Sequence, residues 1–229
     1  MGEPETVSNR QQQKAQTREQ ILRAAAAQFA ERGFDATSLA DIAAEMGRPK
    51  SALGYHQFRS KDEIANAVVT QKLHDWDAIR MRADRHEPAG VPRLLTLLLT
   101  AAVDARADAF GLATIRLILE SRRFGRFELP GLPFNWFDYT DSQLRDAVQL
   151  GQLPPEAEPR EVGQLIINAA FGLFESENQG FQPVDTEAGL RDIWLRLLVG
   201  LGAADPEGLV VSTIVLDGRD LSGMGQRRP

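Results

Sequence analysis

The chain has 229 residues, of which 43% are hydrophobic and 25% charged, with a mean hydropathy of −0.28. These values exclude a collagen-like, low-complexity or largely disordered polypeptide and predict one or two globular domains. The formal charge is −6, and the absence of cysteine excludes a disulfide framework, a thiolate metal site and a Cys nucleophile.

Residues 1–16 are polar and lack the apolar core of a signal peptide. Thr17-Arg-Glu-Gln20 has the Thr-x-x-Gln capping pattern and predicts a helix start. Ile21, Leu22, Ala25, Ala26 and Phe29 come next at helical spacing, and Gly33 is the expected stop. Ser38-Leu-Ala-Asp41 predicts a second short helix ending near Met46, with Gly47 in the turn. A third short helix is expected over 50–58. Ser60-Lys-Asp-Glu63 is another capping box, and it opens a long helix through about Arg85.

Beyond Pro88 the predicted helices are longer and more apolar: 89–107, 109–125, 133–151, 160–179 and 186–203. Prolines 130, 133, 154, 155, 159 and 183 mark the breaks. The longest apolar stretch, 94–103, is interrupted by Thr96 and Thr100, so no transmembrane helix is predicted. The β-branched run 210–215 predicts an extended segment packed on the body, then a loose Gly/Arg-rich tail. The expected fold is all-α: a three-helix N-terminal head (10–62), a larger helical body (63–204) and an extension (205–229).

Charge is unevenly distributed. Residues 10–61 carry nine basic and five acidic side chains, a charge of +4 that leaves −10 on the remainder. A basic head on an acidic body fits a polyanionic partner, although chance clustering of solvated charges gives the same count. Residues 41–46, Gly47 and 50–58 have helix-turn-helix spacing, with the second helix destined for a DNA major groove. Ala43 and Ala44 permit close helix approach. Helix N-termini at Thr37 and Ser38 offer N–H groups to phosphate, and Arg48, Lys50 and Lys61 offer counter-charge. Ser51, Tyr55 and His56 fall on the expected reading helix, where Tyr55 and His56 offer donors toward phosphate or base edges. Lys14 joins this expected DNA-binding set.

The residues carry this reading further. Thr17-Arg-x-x-Ile-Leu-x-Ala-Ala, Phe29-Ala-Glu-Arg-Gly-Phe, Thr37-Ser-Leu-Ala-Asp-Ile-Ala, Gly47-x-x-Lys50 and Tyr55-His-x-Phe-x-Ser-Lys-Asp-Glu63 resemble the TetR family of bacterial repressors. The resemblance implies a homodimer that reads a palindromic operator, and a C-terminal body whose small effector releases DNA. The chain departs from the family pattern at one point. The family has Leu directly before Tyr, whereas this chain reads Leu53-Gly54-Tyr55. An added helical residue rotates the rest of its helix by about 100°. Either Gly54 absorbs the insertion in a bulge, or Tyr55 and His56 point elsewhere.

In the body, Arg116-Leu, then Glu128-Leu-Pro-Gly-Leu-Pro-Phe-Asn-Trp136, Leu144-Arg-Asp-Ala and Gly151-Gln-Leu resemble actinobacterial γ-butyrolactone receptors and their furan- and butenolide-sensing relatives. A single residue separates Phe134 from Trp136, where two are usual. The resemblance implies that Trp136 lines the effector pocket, its indole N–H facing a polar group and its ring covering an alkyl chain. On residue type alone, Trp136 reads as a space-filling core residue. Phe134, Phe110, Leu119, Phe171 and Phe174 are further lining candidates that ordinary core packing also explains. Arg116 is a candidate anchor for an acidic ligand, with a salt bridge to a neighbouring helix as the alternative. Ile166, Ala170, Phe171, Trp194, Leu197 and Leu201 are the expected dimer face, on stripes whose small residues allow close approach.

The rival class is a helical enzyme. His56, His74 and His86 lack the His-x3-His spacing of a metal site, and no Gly-x-Ser-x-Gly elbow or phosphate loop is present. Asp75, Asp77 and Asp84 read as a solvated face. No cofactor or metal is implied. The expectation is therefore a cytoplasmic, ligand-responsive repressor without catalysis, whose partners are double-stranded DNA, a small effector and a second copy of itself, with no membrane association. The alternatives are a ligand-binding pseudo-receptor with altered DNA reading, and an efflux regulator sensing an apolar drug.

Overall fold

The computed structural model describes residues 4–49, 53, 57–124, 127–131, 133–178, 180–181 and 185–216. Every regular α or β element among them is an α-helix: α1 (Pro4–Arg32), α2 (Leu39–Glu45), α3 (Lys61–His86), α4 (Val91–Ala107), α5 (Ala109–Phe124), α6 (Trp136–Gln149), α7 (Pro159–Asn178), α8 (Thr186–Gly200) and α9 (Pro206–Val211). They fall into two compact units, one of residues 1–74 with 105–131 and one of 75–104 with 132–229. The divisions cut through α3 and α4.

The first unit is built on α1. Ile21, Ala25, Ala26 and Phe29 are fully buried, as their helical spacing requires. The helix begins well before Thr17, which is therefore no cap. Its hydroxyl donates back to Gln13 O at 2.9 Å, satisfying itself within the helix. The Gln-, Lys- and Arg-rich residues ahead of it are good helix formers, and they carry the helix through the capping motif. Gly33, at φ +79°, ends α1. Ser38 caps α2 with the reciprocal Asp41 bonds of a capping box. Two polar ties at matching helical spacing join α1 to α2: Gln28 Nε2 donates to Glu45 at 3.0 Å, and Arg32 lies 3.5 Å from Asp41. Ser60 Oγ accepts from Glu63 N at 3.1 Å and starts α3. Ile64, Ala65, Val68 and Val69 of α3 are buried.

The second unit has one core. Leu94, Leu95 and Leu99 of α4 pack with Leu144 of α6, Ile166 of α7, Trp194 of α8 and Val210 of α9. Gln152, from Gly151-Gln-Leu, fixes the start of α4: its Oε1 accepts from Val91 N at 2.8 Å and its Nε2 donates to Ala89 O at 3.1 Å.

The extended segment expected after residue 203 is in part a helix. Asp205 caps it through Gly208 N and Pro206 sits in its first turn, so α9 forms despite Val210 and Val211. Residues 212–216 are irregular and dock on α4. Ile214 N and Leu216 N donate to the Thr96 and Thr100 hydroxyls at 3.4 and 3.0 Å. Among the described residues no helix is long and apolar enough to cross a membrane. The expected reading helix falls largely outside the described residues, with Lys50, Ser51, Gly54, Tyr55 and His56; so does the tail from residue 217.

Candidate functional site

In the first unit the side chains expected at DNA divide in two. Lys14 and Arg48 are exposed. Arg10, Lys14 and Arg18 recur every four residues along α1, so they share one helix face, and all three are exposed. Arg18 also lies over the Phe58 ring at 4.4 Å, and Gln57 Nε2 donates to Lys14 O at 3.0 Å; both contacts tie the last residues of the expected reading helix to α1.

Thr37, Ser38 and Lys61 are engaged within the head. Thr37 is buried and its hydroxyl donates to Gly33 O at 2.7 Å. Ser38 is exposed, but its hydroxyl and backbone N–H both bond Asp41. These hydrogen bonds hold the Asp41 carboxyl below its ordinary pKa. Lys61 Nζ donates to Phe34 O at 2.6 Å and Thr37 O at 2.8 Å, and lies over the Phe34 ring. It pins the α1–α2 turn.

Arg116 and Glu120 clamp the end of α1. Arg116 Nη1 donates to Ala30 O and Glu31 O at 3.1 and 2.9 Å, and its Nε pairs with Glu120 at 3.0 Å. The guanidinium thus caps the carbonyls of α1, and its ion pair lies within α5 instead of reaching a neighbouring helix. Phe110 is half-buried and Leu119 is exposed in this unit.

In the second unit Trp136 opens α6 and stands in an aromatic cluster. Its ring centroid is 4.6 Å from Phe134 and 6.0 Å, edge-on, from Trp76; Phe134 is in turn 6.0 Å from Tyr139. These spacings and tilts are those aromatic quadrupoles favour. Arg80 covers Phe134 at 5.3 Å. Arg80 pairs with Asp77 at 2.8 Å and Asp84 at 2.7 Å. Burial works against its charge, but the Asp77 hydrogen bond and the two carboxylates outweigh that and hold it firmly protonated. Tyr139 donates to Asp84 Oδ1 at 2.7 Å. Burial, then that bond, raises its pKa. Trp76 Nε1 donates to Asp104 at 3.1 Å.

Sequence reasoning alone does not single out Trp76, Arg80 and Tyr139. Trp76, Arg80 and Asp84 recur every four residues on α3, and Tyr139 lies three after Trp136 on α6; those spacings held the available clue. Asp77 and Asp84 are partners of Arg80, so the solvated-face reading of the acidic run fails for them. Of the remaining candidates, Phe174 is buried and Phe171 is exposed. Ile166 and Trp194 lie in the core of this unit, Ala170, Leu197 and Leu201 are partly buried against it, and Phe171 stays outward.

Residues 21–68 match the family described as bacterial regulatory proteins, tetR family. The HTH-type transcriptional regulator UidR of Escherichia coli is 25% identical over 171 residues, covering 73% of this chain and 84% of UidR. A γ-butyrolactone receptor (ArpA-like protein) shares the fold with TM-score 0.71 at 22% identity, over 87% of this chain and 96% of that one. CprB of Streptomyces coelicolor, solved with its biological operator sequence, gives TM-score 0.72 at 23% identity and the same coverage. These relatives are regulators and not enzymes. Residues 21–68 thus carry the tetR-family domain, and along most of its length the chain is similar in fold to regulators of that family.

Proposed function

We propose that the chain is a dimeric repressor of a palindromic operator, released when a small γ-butyrolactone-, butenolide- or furan-type effector binds beside Trp136. The observation that carries the effector reading is the cluster of Trp76, Phe134, Trp136 and Tyr139 with a polar rim. Flat rings suit an alkyl-bearing ring compound, and a few placed polar groups orient it. The rim favours a neutral ligand over an acid. Arg80 is matched by Asp77 and Asp84, and Arg93 donates twice to Glu87 O beside Asp84, so neither is a spare counter-charge for a carboxylate.

The DNA reading is supported by the exposed Arg10–Lys14–Arg18 face and Arg48, which suit phosphate contacts. The homodimer reading is supported by large apolar side chains left outward on α7 and α8: Leu165 is 51% exposed, Phe171 45% and Val199 59%. An effector releases DNA only through its differential affinity for the two states.

The test has two steps. Selection of bound duplexes from a random pool at physiological salt should enrich one palindrome, and a synthetic acyl γ-butyrolactone should then dissociate that duplex. No enrichment removes the operator reading and favours a pseudo-receptor; release by apolar drugs but not by the lactone favours an efflux regulator.

A further inference from the structure

Thr140 is 1% exposed, and its Oγ1 has no hydrogen-bond partner among the described residues. A threonine hydroxyl can satisfy itself by donating four residues back, although Thr114 of α5 is buried and, like Thr140, has no partner among the described residues. Thr17 bonds Gln13 O at 2.9 Å and Thr213 bonds Leu209 O at 3.0 Å. In Thr140 the corresponding acceptor is Trp136 O, and the hydroxyl does not take it. Its methyl faces α7: a Cβ added at Gly163 would lie 2.9 Å from Thr140 Cγ2 and 3.4 Å from Leu144 Cδ1. The hydroxyl is thus a buried donor held off its local acceptor, in surroundings where Leu144 and Gly163 offer no side-chain partner. A buried water needs two to four polar neighbours and is poorly served here. Trp194 Nε1 is a second buried donor without a partner in this unit, within the core that includes Leu144 and Ile166.

Thr140 lies one turn beyond Trp136 on α6, where side chains four apart have Cβ atoms about 5–6 Å from each other. We propose that Thr140 is a specificity-determining residue for the effector, its Oγ1–H donating to a carbonyl or hydroxyl oxygen of a ligand whose apolar part lies against Trp136. This rests on the effector reading above. The ligand brings one acceptor and its own apolar surface, which supplies what the orphan hydroxyl lacks.

The test uses the full chain, a fluorescent operator duplex and an acyl γ-butyrolactone bearing a free hydroxyl. Thr140→Val keeps the branched shape and removes the donor. It should bind operator like wild type, melt at the wild-type temperature or above, and need about tenfold more lactone for half-release, the effect of one hydrogen bond. Thr140→Ser should stay within about threefold of wild type. A parallel loss in Thr140→Ala keeps the test valid if the valine variant does not fold. Thr140→Val or Thr140→Ala responding like a lactone-responsive wild type overturns the role of Thr140 and leaves the effector reading standing. A wild-type protein indifferent to the lactone overturns the effector reading, and this assignment with it.

Discussion

Phe34 N donates to Glu120 Oε2 at 2.7 Å, joining residues 86 positions apart. The bond completes a clamp in which Arg116 takes the last carbonyls of α1 and Glu120 takes the N–H just beyond Gly33. The ring of Phe34 also stacks on Phe127 at 4.3 Å. The turn that leads into α2 is therefore held by α5 and the segment after it.

Gly33→Ala should destabilise the protein. The position has φ +79°, and a Cβ there would lie 2.2 Å from Glu120 Oε1 and 2.9 Å from Arg116 Nε. The left-handed conformation alone costs roughly 1–2 kcal/mol for a non-glycine residue. In a chain of this size that lowers Tm by roughly 2–8 °C. Calorimetry of Gly33→Ala, and of the same change in a Glu120→Ala background, should show a smaller penalty in the second case. Equal penalties would mean the clamp and the glycine are independent.

The two expected phosphate contacts and Lys61 should behave differently. Arg48→Ala and Lys14→Ala should each weaken binding to all duplexes and reduce the slope of log affinity against log salt by about 1. Lys61→Met should instead lower the melting temperature, because its ammonium bonds Phe34 O and Thr37 O. A salt slope unchanged in both Arg48 and Lys14 variants would place the phosphates elsewhere on the head.

Tyr139 should resist ionisation. A phenol ordinarily titrates at 10.0, and burial and the bond to Asp84 raise this value in the folded protein. The folded state then holds a proton that the unfolded chain releases. This contribution to stability is complete below pH 10.0 and declines as pH rises above it. The chain has two tyrosines, so Tyr55→Phe isolates Tyr139 for absorbance titration. Tyrosinate absorbance should lag behind that of a free phenol until the protein unfolds. Tyr139→Phe should flatten the alkaline fall in stability.

Trp136→Ala should leave operator affinity within about twofold and abolish release by the lactone, as an aromatic anchor in a small-ligand site would. Anisotropy of the operator duplex reads both quantities. Normal release in this variant would assign Trp136 to packing against Phe134 and Trp76.

Residue order and spacing are enough to specify the helix periods, most of the breaks and the head. Ser38 and Asp41 and Gly33 act within a few residues of themselves, so their caps are legible from spacing. Thr17 misleads because a cap motif works only where the preceding residues leave the helix, and these do not. Val210 and Val211 mislead because Asp205 and Pro206 start a helix that outweighs β-branching. Which face meets which partner is settled only by packing. Whether Arg116 serves a ligand or α1, whether Ile166 and Trp194 face a second copy or their own core, and which residues join Trp136 all depend on helices distant in sequence. Hydrophobic periodicity specifies that a face is buried and is blind to what buries it, because the driving force is non-directional. Trp76, Arg80 and Tyr139 become a group only once α3 and α6 bring them together.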